Sequence, residues 1–333
     1  MTQKALITGA TGFIGSRLCL ELKKEGWTLR ALALPGENCD RIAGDVSEIV
    51  RGDITRPGTL TGIGDGMDVV FHLAARVLDY GSKKQFYAPI YDGTKNMLEA
   101  CAGRAKRFLF VSSIAACGLG RHLKGVKESD PTQKSGIPYN DAKADAEVLV
   151  KTYQDKFPNG CVIVRPANVI GPRSAWVDEL GKQFQKSPVP LIDGGRYSAS
   201  LIYVDNLVDG IIRAGTADIA AGRAYQFRDD WDVTWKEYLT DLSALFGKKP
   251  AGSLPYAVAW PVAVAVETLL TPLGIRPPAT RLAMAIMGRD NDVDTSKAQK
   301  ELGWRTKISY PEAMEKIGDW VQKNFKNQKK VAI

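Results

Sequence analysis

A doubly wound α/β fold is predicted by three features of this 333-residue chain. Short apolar runs alternate with helical stretches through the first half, three glycines space the turn after the first run, and the pattern loosens past Pro166. Strands separated by helices pair in parallel, with the helices on both faces of one sheet. The looser half predicts a smaller, mostly helical C-terminal lobe over the carboxyl ends of the strands, where open sheets bind ligands.

Lys4 to Thr8 reads as the first strand, and Thr8 to Gly15, TGATGFIG, as its junction with a helix over about Gly12 to Glu25. Phe13, Ile14, Leu18, Leu20 and Leu22 fall roughly at helical spacing. Gly9 permits the tight turn, Gly12 lets the backbone approach a pyrophosphate, and Gly15 lets helix and sheet pack closely. The free amides and positive dipole end of that helix would face phosphates, so the turn predicts a dinucleotide site of the Rossmann type.

Further strands are expected at Thr28 to Leu34, Glu48 to Gly52, Asp68 to Leu73, Arg107 to Ser112 and Gly160 to Arg165. Helices over Lys84 to Arg104 and Tyr139 to Lys156 are long enough to cross a sheet face and offer a flat surface for a homodimer. Beyond Pro166, helices are expected near Val204 to Ala214, Trp235 to Phe246, Ala257 to Leu270, Thr280 to Met287, Thr295 to Leu302 and Pro311 to Phe325. The dinucleotide domain is assigned to 1–168 with returning segments near 196–228. The substrate lobe takes 169–195 and 229–327, and 328–333 is a tail.

An apolar share of 44% with 25% charged residues is ordinary for a soluble globular chain. The net charge of +8 comes from scattered Lys and Arg, apart from a basic run at Lys323 to Lys330. With no helix-turn-helix, zinc finger or aromatic RNA-binding motif, nucleic acid is set aside. The surplus suits anionic cofactors, acidic substrates or an anionic membrane face. Cys19, Cys39, Cys101, Cys117 and Cys161 are odd in number and hold no Cys-x-x-Cys pair, so they read as reduced thiols; no metal site is expected. With no apolar leader before the first strand, the expected location is cytoplasmic, with peripheral membrane contact. The longest apolar stretch, Tyr256 to Leu273, is broken by Pro261, Glu267 and Pro272 and reads as a buried or membrane-touching helix, not a span.

Tyr139 and Lys143 stand four residues apart and so share a helix face. A free phenol, with a pKa of about 10, is a poor base near neutrality, and a neighbouring ammonium favours its ionised form. Tyr80 with Lys84 and Tyr91 with Lys95 repeat the spacing, so position decides. Tyr139 follows the strand Arg107 to Ser112 and a glycine-bearing loop. Just past that strand, Ser113 could donate to a substrate oxygen as charge develops on it. Ser112 competes for that role, but neighbouring side chains on a strand point to opposite sides.

TGATGFIG at Thr8, RGDI at Arg51, HLAA at His72, VSSIAACG at Val111, YNDAK at Tyr139 and RPANVIGP at Arg165 resemble, in order, the extended short-chain dehydrogenases/reductases. SLIYVDNLVDGI at Ser200, PPATRLAMAIMGRDNDVD at Pro277 and KAQKELGW at Lys297 look most like the 3β-hydroxysteroid dehydrogenase-like branch. The resemblance covers nearly the whole chain. It implies that Tyr139 is the catalytic acid/base, that Lys143 lowers its pKa and holds the nicotinamide ribose, and that Ser113 orients the substrate carbonyl. It also implies a cofactor site of Gly9, Thr11, Gly12, Phe13, Ile14 and Gly15 at the phosphates, with Asp53 and Ile54 at the adenine. Ala74, Ala75 and Val111 would line the channel, and Pro166 to Val169 would border the nicotinamide. His72 is expected to be a strand-end residue and Asp205 a helix-start residue.

The second strand lacks the acid with which NAD-preferring relatives bind the ribose hydroxyls, near Ala33 and Leu34. With Arg41 seven residues past Leu34 and Arg30 within the strand, NADP is favoured over NAD. Ile90 and Ile170 replace the family's usual asparagine and tyrosine. The leading reading is an NAD(P)-dependent oxidoreductase acting on a secondary alcohol or ketone of an apolar small molecule, steroid-, terpenoid- or keto-lipid-like. A nucleotide-sugar epimerase is the alternative, and would need cations such as Arg196, Arg223 or Arg281 for the diphosphate. Ile114 and Ala115 after Ser113 argue against a dehydratase, and the intact Tyr139 and Lys143 against a cofactor-sensing regulator.

Overall fold

The computed structural model describes residues 2–326. The tail at 328–333 and the basic run beyond residue 326 lie outside the described residues. Seven parallel strands form the central sheet: β1 (Lys4–Thr8), β2 (Thr28–Ala33), β3 (Glu48–Arg51), β4 (Val69–His72), β5 (Arg107–Val111), β7 (Cys161–Pro166) and β11 (Ala224–Phe227). Their order is β11-β7-β5-β4-β1-β2-β3. The chain reverses its direction of travel at β1, which lies between β2 and β4, and that switch point opens the ligand crevice. Both faces of the central strands are covered, so β5 is buried along its whole length, whereas the edge strand β3 is half exposed.

Helix α1 (Phe13–Lys24) follows the glycine turn, and α2 (Lys83–Tyr87) continues through a wider π turn at Ala88–Asp92 into α3 (Gly93–Cys101). A capping box at Ser82 and Gln85 starts α2. Thus the single helix expected from Lys84 to Arg104 is broken by the π turn. Helix α4 (Pro138–Thr152) carries Tyr139 and Lys143, and proline at its first position presets the helical φ.

The second half holds α5 (Ala175–Lys186), α6 (Val204–Thr216), α7 (Trp235–Leu245), α8 (Tyr256–Leu270), α9 (Arg281–Met287), α10 (Ser296–Leu302) and α11 (Tyr310–Val321). Helix α5 falls in a stretch read as turns. Ser174 caps it, accepting from the Val177 amide, and Val177, Leu180 and Phe184 form its buried stripe. Two short parallel pairs lie within this half, β8 (Asn168–Ile170) with β10 (Leu201–Tyr203) and β9 (Leu191–Ile192) with β12 (Ser253–Leu254), and a third, β6 (Leu123–Val126) with β13 (Asn291–Val293), ties it to the first half. The apolar stretch from Tyr256 is covered by protein on one side. Only Tyr256, Ala259, Ala263 and Glu267 of α8 are buried.

Candidate active site

The glycine turn is built by close approach. Gly9 has φ +68°, and a side chain there would strike the Ala74 backbone. A Cβ on Gly15 would overlap the Gly9 carbonyl, so α1 can rest on the turn only with glycine there. The Gly12 amide donates to Gly9 O at 3.1 Å. Gly12 lends α1 no side-chain cap, and the first turn of α1 carries no acid. Its leading amides therefore suit an anionic group such as a cofactor pyrophosphate. Phe13 and Ile14 are half-buried on that first turn, with the Phe13 ring beside Gly171 at the far side of the crevice.

Under the strand ends, the Thr8 hydroxyl bonds His72 Nδ1 at 2.7 Å and accepts from the Ala74 amide at 3.1 Å. His72 Nε2 meets the Thr94 hydroxyl at 3.1 Å. Burial, and then the charge of Lys143, pushes the imidazole down to about 3, so His72 is a neutral tie between strand and helix. Ala74 and Ala75 are half-buried after β4. Ile54 touches Gly93, and Asn96 holds its carbonyl at 2.8 Å. One Asp53 carboxylate oxygen caps the Thr55 turn, accepting from the Thr55 amide at 2.8 Å.

At the end of β2 no acid stands at Ala33 or Leu34, and Glu37 folds its carboxylate back to this point. Its carboxylate accepts from the Leu34 amide at 2.9 Å and from the Thr11 hydroxyl. Arg41 donates to the Thr11 carbonyl at 2.8 Å, and Arg51 to the Leu34 and Glu37 carbonyls at 3.0 and 2.7 Å. Arg30 points away, to Glu48 at 2.7 Å. Glu37 lies 22 residues beyond Gly15, close to the interval at which such folds place a ribose-binding acid. That interval was the signal available in the sequence.

The two serines after β5 part ways. Ser112 is buried and donates to Glu147 at 2.6 Å, and Glu147 is gripped by Arg165 at 2.6 Å. Ser113 points the other way, caps the short turn Ile114–Cys117, and sets its hydroxyl beside that of Tyr139. Burial raises the Tyr139 pKa, and the Ser113 hydroxyl pulls it back. Lys143 Nζ donates to the Val111 carbonyl at 2.8 Å and lies 4.8 Å from the Phe110 ring centre. Burial pushes the Lys143 ammonium down to about 7, with Glu147 opposing. Burial is the larger cause at Tyr139, so its phenol stands above the ordinary value and not below it as the sequence suggested. Pro166 ends β7, and Val169 is half-buried in β8.

Two residues near Tyr139 escaped the sequence reading. The Phe86 ring packs edge-on against Tyr139 at 6.1 Å, and the Arg76 guanidinium lies 5.6 Å from the centre of that ring. Among the described residues no acid pairs with Arg76, and its Nε is buried without a partner. Neither residue belongs to a sequence motif; Phe86 on α2 packs on Tyr139, and Arg76 in the loop after β4 packs on Phe86. The three arginines proposed as diphosphate anchors are otherwise engaged. Arg223 pairs with Glu301 at 2.5 Å, Arg281 with Glu267 at 2.9 Å, and Arg196 donates to the Tyr197 hydroxyl at 2.9 Å.

The profile of the NAD dependent epimerase/dehydratase family matches residues 5–226. The chain is 29% identical over 321 residues to the 4-hydroxy-2-methyl-3-oxo-4-farnesyl-3,4-dihydroquinoline-1-oxide ketoreductase of Stigmatella aurantiaca, covering 94% of this chain and 95% of the relative. It is 25% identical over 330 residues to a 2-alkyl-3-oxoalkanoate reductase of Shewanella oneidensis, covering 94% and 85%. Among solved structures, the UDP-glucuronic acid 4-epimerase of Bacillus cereus in complex with NAD superposes with a TM-score of 0.75 at 22% identity, over 97% of this chain and 98% of that one. This likeness shows the fold. With its sheet, glycine turn and family profile in agreement, the chain belongs to the NAD dependent epimerase/dehydratase family.

Proposed function

We propose that this protein is an NAD(P)-dependent oxidoreductase that interconverts a secondary alcohol and a ketone on a largely apolar small molecule. The observation that carries the reading is the convergence of Tyr139 and Ser113 at the carboxyl end of β5, where the helix bearing Tyr139, and Lys143 four residues along it, packs on the turn that Ser113 caps. The bound nicotinamide supplies or accepts the hydride. Ser113 holds the substrate oxygen, and Tyr139 gives it a proton in reduction and removes one in oxidation. Lys143, four residues along the helix from Tyr139, would orient the ribose. Since burial keeps the phenol protonated, reduction is the direction served near neutrality, and alcohol oxidation should rise with pH.

The named relatives reduce ketones on a farnesylated ring and on 3-oxoalkanoates. An apolar ketone suits the substrate lobe we assign to 169–195 and 229–327. Arg76, free of an acid partner and one ring from Tyr139, would take a carboxylate or other anionic substituent. Glu37 favours the two ribose hydroxyls of NAD and repels a 2′-phosphate, so we assign NAD as the better cofactor, with Arg41 and Arg51 keeping NADP usable. A homodimer through α3 and α4 and contact with a membrane face complete the proposal; Val148 on α4 stands 56% exposed.

The epimerase alternative needs cations for a diphosphate, and the pairing of Arg223 and Arg281 with internal acids favours the reductase. The test follows reduced-cofactor absorbance with medium- and long-chain 3-oxo acids, apolar ketones and UDP-sugars. Net cofactor oxidation with the ketones alone is expected. Epimerised UDP-sugar without net oxidation, and no turnover of ketones, would overturn the reading.

A further inference from the structure

Seven of the ten large apolar side chains that stand exposed among the described residues belong to α8, the segment after it, and a loop tied to that segment. Val258, Val262 and Leu269 project from α8, and Leu273 and Ile275 follow it, Leu269 and Leu273 being 68% and 70% exposed. Val77 and Leu78, in the loop after β4, complete the set. That loop is tied to the end of the α8 segment next to them: Asp79 takes Arg276 at 3.4 Å and the Thr280 hydroxyl at 3.1 Å.

From Tyr256 to Ile275 the single charged residue is Glu267, and it is buried against Arg281. The outer face of this stretch is therefore uncharged. A helix that is apolar all round belongs inside protein or against lipid. Here protein covers the inner side alone, and an exposed apolar patch of this extent marks an interaction surface.

Charge around the patch selects the occupant. Lys248 and Lys249 are exposed just before β12 and α8. At the other end Lys182 reaches Glu179 at 2.7 Å, and Glu179 also takes Arg276 at 3.0 Å. The far end is neutral, since Glu179 and Asp79 offset Lys182 and Arg276, and the net positive charge beside the uncharged apolar face is the Lys248–Lys249 pair, which matches an anionic bilayer surface. The apolar stretch covers 18 residues, about 27 Å of helix against a hydrocarbon core of about 30 Å. Arg281, bonded to both Glu267 and the Gly136 carbonyl, fastens it to the protein.

We propose that this face docks on an anionic lipid bilayer, with α8 lying along the headgroup boundary and the Val77–Leu78 loop beside it. The inner side of α8 leads to the site, since Trp260 packs on the same apolar cluster as Tyr139. An apolar ketone dissolved in the bilayer would reach Tyr139 beneath this helix; that route, though not the docking, rests on the proposed reductase activity.

The test is sedimentation of the full chain with vesicles of phosphatidylglycerol and phosphatidylcholine, or of phosphatidylcholine alone, with gel filtration alongside. The wild type should sediment with the anionic vesicles. Leu269→Glu with Leu273→Glu, at exposed positions, should lower the partition coefficient about tenfold or more. Lys248→Glu with Lys249→Glu should remove the preference for anionic lipid. Turnover of a water-soluble ketone should persist in the Leu269/Leu273 variant, and its absence from the wild type too would count against the reductase reading and leave the docking result standing. The proposal is overturned if the wild type stays in the supernatant with both vesicles, if the Leu269/Leu273 variant sediments equally well, or if that variant instead dissociates a dimer that binds no vesicle.

Discussion

Ser113 and Ser112 are chemically identical neighbours, and the chain separates them by what each oxygen meets. Ser112 is consumed by Glu147, whereas Ser113 stands beside Tyr139. Replacing Ser113 with Ala should cut kcat by about 10² to 10³, the range for loss of one oxyanion donor, with the KM for cofactor little changed. A comparable loss of cofactor affinity would place Ser113 in cofactor binding instead. Glu37 acts at the other end of the crevice. Glu37→Gln removes the charge facing a 2′-phosphate and should raise the NADP-to-NAD ratio of kcat/KM about tenfold, equal to about 1.4 kcal/mol. An unchanged ratio would show that Arg41 and Arg51 set the choice.

On α4, Tyr139, Lys143 and Glu147 follow one another at four-residue steps, so one helix face carries acid/base, cation and anchor. The anchor is the fully buried Glu147–Arg165 pair, which joins α4 to β7. Glu147→Gln leaves Arg165 charged and buried and should cost about 3–5 kcal/mol, read from the urea midpoint. A variant as stable as the wild type would mean that Ser112 and water satisfy Arg165. This face also marks how far the sequence could be read. The strands and the Tyr139–Lys143 step were legible because their periods are local and strong. Glu37 was legible only by its interval from Gly15, because the return of its carboxylate to the Leu34 amide is a loop contact with no period. Helix α5 was missed because Pro and Gly on either side hid its start, although Ser174 was a cap signal. Arg76 and Phe86 meet Tyr139 only through tertiary packing, which periodicity does not encode.

Across the molecule, titration behaviour follows from burial. Lys143, held down to about 7 in the folded chain and free to return to its usual value near 10.5 when unfolded, binds fewer protons folded than unfolded in that window. Stability therefore rises with pH above 7. The buried thiols Cys19, Cys101 and Cys161, pushed up to about 12, act in the opposite sense once unfolded thiols ionise near pH 9. The cofactor-free urea midpoint should thus climb between pH 7 and about 8.5 and then flatten, and Lys143→Met should lose the climb. A midpoint that falls over that window would contradict the burial assigned to Lys143.

The same site assignment gives the reductase account its most direct test, the Tyr139→Phe variant measured for ketone turnover and for cofactor binding in parallel. The account predicts that turnover falls by several orders of magnitude while cofactor affinity stays within a few-fold of wild type, because the phenol supplies the proton and other groups hold the dinucleotide. Ketone turnover near the wild-type rate would contradict it and place the acid/base elsewhere.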